Sequence, residues 1–170
     1  MPDLNNIISL IQNSKNTLFI LCGFPYAGKS FIAKQLLERT DITFVSIDEI
    51  FNRHGFDWDS NTLPDTQAWE QIFNESYEQT KQALQGEKNV LYDSTNQTVA
   101  SRNKLREIAN VAGAETKVVF IKSSTETVWE RWAENQKIPS RSVVSKDLVQ
   151  ETIDMFEEPA EEENLVVINN

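Results

Sequence analysis

The sequence of 170 residues predicts a single three-layer α/β/α domain, with helices on both faces of a mostly parallel, five-stranded sheet. Three observations predict this fold. Short, nearly continuous apolar runs alternate with segments of helical periodicity. A glycine-rich loop joins the first run to the first helical segment. No repeat, low-complexity segment or linker divides the chain, so we expect one domain over residues 1–170.

Five apolar runs are the expected strands. Strands that are buried on both faces read as continuous apolar runs, which is typical of a parallel sheet covered by helices. In chain order the runs are Thr17–Cys22, Ile42–Ile47, Asn89–Tyr92, Lys117–Ile121 and Leu165–Ile168.

Helical segments are expected between these strands. The segment from Pro64 to Gly86 carries Trp69, Phe73 and other apolar residues on one face. The remaining helices are expected at 31–37, from Leu105 to Gly113, from the capping box Ser123–Glu126 through Trp132, and from Ser145 to about Phe156. The stretch 48–62 is polar and rich in aromatic residues, and we expect the segment from Phe51 to Trp69 to carry substrate identity.

One octapeptide between the first strand and the first helix fits the phosphate-binding pattern G-x-x-x-x-G-K-[ST]. It reads Gly23, Phe24, Pro25, Tyr26, Ala27, Gly28, Lys29, Ser30. A chance match in a turn is the alternative, but the strand before the loop and the helix from Phe31 after it favour a true phosphate site, because the first N–H groups of the helix face the anion. We expect Lys29 to reach the β- and γ-phosphates and Ser30 to hold Mg²⁺.

This motif therefore predicts a P-loop fold that binds a nucleoside triphosphate together with Mg²⁺. Residues 23–31 are the expected nucleotide-binding segment.

Two carboxylates follow predicted strands, at the sheet edge where ligands of parallel sheets bind. Asp93 is expected to help organise the hydrated Mg²⁺ beside the substrate, with a turn or helix-cap acid as the alternative. Asp48 is expected either to take the proton of a substrate hydroxyl as general base or to be a metal-shell carboxylate. A turn acid without chemistry is its third interpretation.

Phosphoryl transfer needs further cations, and two arginines are candidates. Arg131 and Arg141 flank a short polar stretch between predicted helices, which we expect to form a lid at approximately 131–145. Both side chains are expected to contact phosphates or to stack on adenine. A solvated helix face is the alternative for each.

Composition restricts the partners. The net charge of −10 disfavours a long polynucleotide, although a local basic pocket is still compatible with a short one. No apolar run is long enough to span a membrane, no signal peptide is recognisable, and the single cysteine, Cys22, is expected to be a buried thiol in a cytoplasmic protein. The acidic segment from Glu157 to Glu163 is expected to be a solvated connection.

The motifs together resemble the P-loop kinases that group polynucleotide kinase with zeta toxin-like and chloramphenicol phosphotransferase-like enzymes, often described as AAA-type ATP-binding domains. The resemblance runs from Thr17 to about Pro159. It rests on 23–30, Val45–Asp48, Val90–Asn96, Ser101–Asn103, Trp129–Arg131 and Phe156–Pro159, of which the first motif is specific and the others are individually weak.

The resemblance implies a P-loop NTPase fold of the nucleoside-kinase-like kind, with ATP and Mg²⁺ as cofactors. It also implies an ATP:hydroxyl phosphotransferase with a small hydroxyl-bearing substrate. It places Asp48 at the general-base position, Arg131 at the start of the mobile lid and Arg102 near the substrate-side helix. Many relatives carry a substrate-holding arginine where this chain has Phe51, which leaves open whether Arg53 substitutes. The dense lid arginines of polynucleotide kinases are also missing after Arg131.

Aromatic residues near the expected substrate site have two interpretations. His54, Phe56, Trp58 and Trp69 either form a wall against a flat or sugar-like acceptor or, for Trp69 above all, pack in the core.

Three functional classes follow. The first is a kinase of a small molecule or nucleotide, the second a nucleotide-dependent ATPase or switch, and the third a polynucleotide 5′-hydroxyl kinase, which the charge disfavours. The chain has Ile121-Lys122-Ser123-Ser124 where a GTPase would carry N-K-x-D, so GTP specificity is unsupported. The sequence does not determine the oligomeric state.

Overall fold

The computed structural model describes residues 2–58, 63–138 and 143–170. Five strands form one sheet in the order β2-β3-β1-β4-β5, and every paired neighbour is parallel. The strands are β1 (Thr17–Cys22), β2 (Thr43–Ser46), β3 (Val90–Asp93), β4 (Glu115–Lys122) and β5 (Leu165–Asn169). The predicted fold class is confirmed, and each strand lies within two residues of its predicted position.

Helices cover both faces of this sheet. They are α1 (Pro2–Asn13), α2 (Lys29–Leu37), α3 (Ile47–Arg53), α4 (Thr66–Gln85), α5 (Val99–Val111), α6 (Thr125–Asn135) and α7 (Lys146–Asp154), and a 3-10 turn spans Glu161–Glu163. No helix in the described part of the chain is both long and apolar enough to cross a membrane.

Two hydrophobic cores lie on opposite faces of the sheet. Because side chains alternate along a strand, Phe19 and Leu21 of β1 pack under α1 and α2, whereas Leu18 and Ile20 pack under α3, α4 and α5. All six residues of β1 are buried, as expected for the central strand. The rigid centre of the sheet thus leads directly into the glycine loop.

Two helices were not predicted. In α1 the apolar residues Leu4, Ile7, Ile8 and Ile11 follow the spacing of one helix face, and all four are buried. The predicted second strand extended to Ile47, but the strand ends at Ser46, whose Oγ accepts a hydrogen bond from the Glu49 backbone N–H at 3.3 Å. This N-cap starts α3, most of which lies in the polar stretch 48–62, where no helix was predicted.

The acidic segment before β5 is solvated only in part. Glu157, Glu158, Glu161 and Glu162 are exposed as predicted, but Glu163 is buried and several of these carboxylates have specific partners. Glu163 is 5% exposed and is paired with Arg102. Glu157 Oε2 accepts a 2.6 Å hydrogen bond from the Val99 backbone N–H, at the start of α5. These carboxylates have partners far away in the sequence, which local composition does not reveal.

The register places the ends of the strands together. Ser46 of β2 is opposite Asp93 of β3, and Lys122 of β4 is opposite Asn169 of β5. The residues that follow these strands therefore meet at the carboxyl edge, beside the loop that follows β1.

Candidate active site

Two glycines give the loop between β1 and α2 its shape. Gly23 has φ +152°, and a Cβ there would lie 2.7 Å from the Ile121 carbonyl oxygen. Gly28 has φ +100°, and a Cβ there would lie 2.2 Å from Asn170 Nδ2. Both positions need a left-handed backbone. At Gly23 a backbone carbonyl leaves no room for a side chain, whereas at Gly28 the Asn170 side chain would have to move. The two glycines of the motif are therefore conformational requirements of this loop.

The loop is anchored at its ends and leaves the start of α2 available. The Gly23 N–H donates to the Thr95 carbonyl at 3.1 Å, and the Ala27 N–H donates to Phe24 at 3.2 Å. Gly28 is the N-cap of α2, and no side chain caps the helix there. Uncapped amides at a helix start, together with the helix dipole, form a suitable site for an anion such as phosphate.

Lys29 lies inside this loop. Its Nζ donates to the carbonyl oxygens of Gly23 at 3.0 Å and of Phe24 at 2.8 Å. Burial lowers the pKa of Lys29, while the nearby Asp93 and Asp48 carboxylates act in the opposite direction. The lysine therefore belongs to a small charge cluster at the edge of the sheet.

Asp93 and Asp48 are the acidic members of this cluster. Burial raises the pKa of Asp93 to about 6; Lys29 lowers it, and Asp48 and Glu49 raise it further. Asp93 ends β3, and Asp48 lies in the first turn of α3. Both line the same cavity wall as Ser30.

The oxygen atoms of Ser30, Asp48 and Asp93 are of the kind that Mg²⁺ prefers. Within the described ranges no cluster of three or more His, Cys, Asp or Glu residues could hold a metal by itself. This donor set therefore fits a Mg²⁺ ion that is held jointly by one or two protein oxygens and by phosphate oxygens, and it does not fit a metal cage made only of protein ligands.

A cavity of about 1100 Å³ extends over this edge of the sheet. Gly28, Lys29, Ser30 and Arg131 line its phosphate end. Aromatic side chains also line it, beginning with Trp58, whose Nε1 donates to Asp48 Oδ1, and we call this part the aromatic end. The cavity thus has room for a nucleotide tail and a second molecule side by side.

Arg131 of α6 lies against the phosphate loop. Its Nη1 donates to the carbonyl oxygens of Tyr26 at 3.3 Å and Ala27 at 3.2 Å. Tyr26 has φ +61°, and its Oη accepts a 3.1 Å hydrogen bond from the Val144 N–H. Trp132 Nε1 donates to the Val144 carbonyl at 2.9 Å, so Val144 is tied to both the loop and α6.

Part of the expected lid over 131–145 is not described. Arg141, the second predicted lid arginine, lies outside the described residues, as do its neighbours 139, 140 and 142.

Two predicted substrate contacts lie elsewhere. Arg102 is fully buried and makes a bidentate pair with Glu163, Nε to Oε2 at 2.7 Å and Nη2 to Oε1 at 3.0 Å. Its Nη1 donates to the Asn96 carbonyl at 3.0 Å. Arg53 Nη2 donates to Glu75 Oε1 at 2.6 Å on the exposed side of α3. Neither side chain lines the cavity, so a substrate contact is unsupported for both.

The aromatic wall differs from the predicted one. Trp58 and Trp69 line the cavity as expected, but Phe73 and Tyr77 of α4 complete the wall in place of His54 and Phe56. The His54 ring instead contacts Glu75, with Nε2 2.7 Å from Oε2.

One residue of the site was missed altogether. Asn170 Nδ2 donates to the Ala27 carbonyl at 2.7 Å, and Asn170 lines the phosphate end of the cavity. It follows β5 at the same sheet edge as Asp48 and Asp93. The strand-end rule that selected those two residues also applies to Asn170.

Comparisons with known proteins agree with this geometry. A family described as AAA domain matches residues 18–159. The structure of Kti12 from Chaetomium thermophilum in complex with ADP-AlF3 is 15% identical and has a TM-score of 0.68, covering 89% of this chain and 88% of that one. A gluconokinase from Sinorhizobium meliloti 1021 is 19% identical, with a TM-score of 0.62 and coverage of 91% and 82%.

The Pnkp1/Rnl/Hen1 RNA repair complex contains a chain that is 18% identical, with a TM-score of 0.69; the match covers 82% of this chain and 43% of that one. A sequence comparison with curated proteins gives no match. The predicted resemblance to P-loop kinases is confirmed. At these identities the solved structures establish the fold alone.

Proposed function

Because the chain belongs to the AAA domain family, we propose that it is an ATP-dependent phosphotransferase that moves the γ-phosphoryl group to a hydroxyl of a small or nucleotide-like acceptor. One observation carries the proposal. The phosphate loop and Asp48 line one cavity, and this cavity continues past Asp48 to an end lined by aromatic side chains. A nucleotide switch needs the first part of this arrangement but not the aromatic end.

The chain's own residues account for binding of the polyphosphate. The loop amides and the start of α2 bind the β- and γ-phosphates, and Lys29 exchanges its two carbonyl partners for phosphate oxygens. Arg131, now held by the Tyr26 and Ala27 carbonyls, supplies the second positive charge. Ser30 and Asp93 would hold Mg²⁺, which neutralises phosphate charge when it is bound.

Asp48 is the proposed general base. Trp58 Nε1 donates to Asp48 Oδ1 at 3.3 Å, which orients the carboxylate at the boundary between the two ends of the cavity. The acceptor oxygen forms a bond to Pγ as the bond between Pγ and the β,γ-bridging oxygen breaks. ADP leaves with that oxygen, and the acceptor's hydroxyl proton passes to Asp48.

The charge around the site disfavours a polynucleotide acceptor. The net charge of the chain is −10. Among described residues, the cations that line the cavity are Lys29 and Arg131, both at the phosphate end. A nucleic-acid backbone would lack the basic track that normally binds it.

Two substitutions test the proposal. Lys29→Ala should weaken Mg-ATP binding by at least about tenfold, because the loop loses its cation. Asp48→Asn should retain Mg-ATP binding but lower transfer to an acceptor by roughly 10²-fold or more, because the base is lost. Isothermal titration calorimetry measures binding, and ³¹P NMR measures the phosphoester formed from a panel of hydroxyl compounds.

Arg53→Gln is the matched control, since this arginine is exposed and lies outside the cavity. Arg53→Gln should change neither the affinity for Mg-ATP nor the rate of phosphoester formation. Unchanged phosphoester formation by Asp48→Asn would remove Asp48 from the mechanism. Steady ATP consumption that no acceptor accelerates would favour an ATPase or switch instead.

A further inference from the structure

A row of aromatic rings forms the acceptor end of the cavity. Trp69, Phe73 and Tyr77 recur every fourth residue on one face of α4, with ring centroids 5.9 Å and 6.1 Å apart. Trp58 continues the row at 6.1 Å from Trp69 and stacks on the buried Phe51 at 4.5 Å. Trp58, Trp69, Phe73 and Tyr77 are half-buried and line the cavity, so part of each ring is open to a ligand.

The floor of this end is apolar or neutral. Tyr92 and Leu105 are 1% exposed and line the cavity beneath the row. Tyr92 Oη is already within 2.8 Å of Ser76 Oγ, so the floor carries a satisfied hydroxyl and no charge. Burial raises the pKa of Tyr92, which keeps its phenol neutral at physiological pH.

The charged groups that face this end are negative. Asp48 and Asp93 lie at its inner boundary, and Asp48 is joined to the aromatic row by the Trp58 N–H. Arg53 and Arg102, the nearest predicted cations, are engaged by Glu75 and Glu163 outside the cavity. Within 2–58, 63–138 and 143–170, no lysine or arginine lines the acceptor end.

From this juxtaposition we propose that the phosphoryl acceptor is an uncharged alcohol that carries a planar aromatic ring. The ring lies against Trp69, Phe73 and Tyr77, and its hydroxyl reaches Asp48. The inference rests on the proposed function, because the acceptor oxygen bonds to Pγ of ATP, ADP leaves, and the hydroxyl proton passes to Asp48.

Physical chemistry separates this class from the other acceptors of a kinase. A ring stacked on aromatic side chains gains more binding free energy than the burial of its apolar surface alone provides. A sugar acid or a phosphorylated acceptor would bring a further negative charge beside Asp48 and Asp93, and Lys29 already compensates the charge of Asp93 only in part. A saturated polyol would gain no ring stacking from the aromatic row.

Three matched probes test the proposal: 2-naphthalenemethanol, its 6-carboxylate derivative and its decahydro analogue. The first two share the ring system and differ by one charged carboxylate, and the first and third share the carbon skeleton and differ in aromaticity and planarity. With Mg-ATP, ³¹P NMR should show phosphoester from 2-naphthalenemethanol at a rate at least about tenfold above either of the others. Gluconate is included as a non-aromatic anionic acceptor.

The outcomes separate the inference from the proposed function. Faster phosphorylation of gluconate or of the carboxylate would overturn the aromatic acceptor and leave the kinase intact. Mg-ATP binding with no transfer to 2-naphthalenemethanol would also overturn the inference. Absence of Mg-ATP binding would overturn both.

Variants of the aromatic row give a second test. Trp69→Leu should lower the transfer rate to 2-naphthalenemethanol about fivefold to tenfold, and Trp69→Phe should restore most of it. Phe73→Lys should shift the preference toward the carboxylate probe, because it adds the missing cation. Retained Mg-ATP affinity shows that each variant is folded.

Trp129→Leu is the matched control, since Trp129 is half-buried on α6 but does not line the cavity. It should leave the probe preference unchanged. Equal losses in Trp69→Leu and Trp129→Leu would mean that the row acts only in packing, which contradicts the proposal.

Discussion

Asp93 is a residue whose buried charge lowers the stability of the fold but suits the proposed function of the site. Asp93 is buried close to Asp48 and Glu49, and Lys29 compensates for this only in part, so its pKa rises to about 6 from 3.8. A carboxylate in such a place destabilises the folded chain whenever it is ionised. In the proposed mechanism this carboxylate would help to hold Mg²⁺.

The first residue-scale prediction follows from this pKa shift. Below about pH 4 Asp93 is protonated in both the folded and the unfolded chain, so it does not affect the free energy of unfolding. As the pH rises from about 4 to about 6, the unfolded chain releases the proton first, and stability is lost. Above pH 6 the loss is complete. Asp93→Asn should therefore raise the free energy of unfolding by about 1 to 2 kcal/mol at pH 8 and leave it nearly unchanged at pH 4.

Urea denaturation at the two pH values measures this difference. The expected gain is smaller than the full pKa shift implies, because the buried amide of the asparagine brings a desolvation cost of its own. A gain of equal size at pH 4 and pH 8 would show that titration of Asp93 is not its cause.

The location of a single residue was predictable from the sequence where the order of the parallel strands along the chain determines it. Asp48 and Asp93 follow strands of a parallel sheet, so their meeting at one edge was predictable. Arg102 was not predictable, because its partner Glu163 lies 61 residues later. Nothing near Arg102 in the sequence distinguishes a buried pair from an arginine that faces a substrate.

Among the secondary-structure elements, the strands were predicted well and two helices were missed. Strands buried under helices are continuous apolar runs, which leaves little ambiguity in their position. The capping serine of α3 was instead interpreted as the end of a longer strand. Tertiary contacts of α1, whose apolar face packs on the core beside β1, explain why its amphipathic pattern forms a helix.

The connection between the phosphate loop and α7 supports a prediction at this scale. Val144 precedes α7 and is held by Tyr26 Oη and by Trp132 Nε1. Tyr26→Phe removes the first of these hydrogen bonds, which contributes about 1 kcal/mol. Backbone amide exchange in a peptide covering 143–150 should therefore become roughly fivefold faster, as measured by mass spectrometry.

Trp132→Phe removes the other hydrogen bond and should accelerate exchange in the same peptide. Unchanged exchange in both variants would show that Val144 is not what couples the loop to α7. Exchange in β1, which neither bond touches, provides the internal reference.

At the scale of the whole molecule, the pair of Arg102 and Glu163 fastens the segment before β5 to α5. Both side chains are buried, and the carboxylate also accepts the Ala160 N–H at 3.1 Å. The pair therefore joins α5, which covers one face of the sheet, to the segment that precedes the edge strand β5. Removing one partner leaves the other charge buried without compensation.

Glu163→Gln should lower the free energy of unfolding by about 3 kcal/mol or more, as measured by urea denaturation. The control is Glu158→Gln, whose carboxylate pairs with Lys122 at 2.8 Å in an exposed position. Loss of this exposed ion pair should lower the free energy of unfolding by less than about 1 kcal/mol. Similar costs for the two variants would show that burial does not determine the strength of the Arg102 pair.

The single thiol of the chain lies at the centre of this architecture. Cys22 ends the middle strand, is wholly buried, and has a pKa that burial raises to about 11. At neutral pH it is therefore both shielded and un-ionised, which makes it inert to alkylating reagents. Such a reagent can react with it only after the middle of the sheet has come apart. The rate at which Cys22 is alkylated therefore reports how often the centre of the sheet opens, at the residue that precedes the glycine loop.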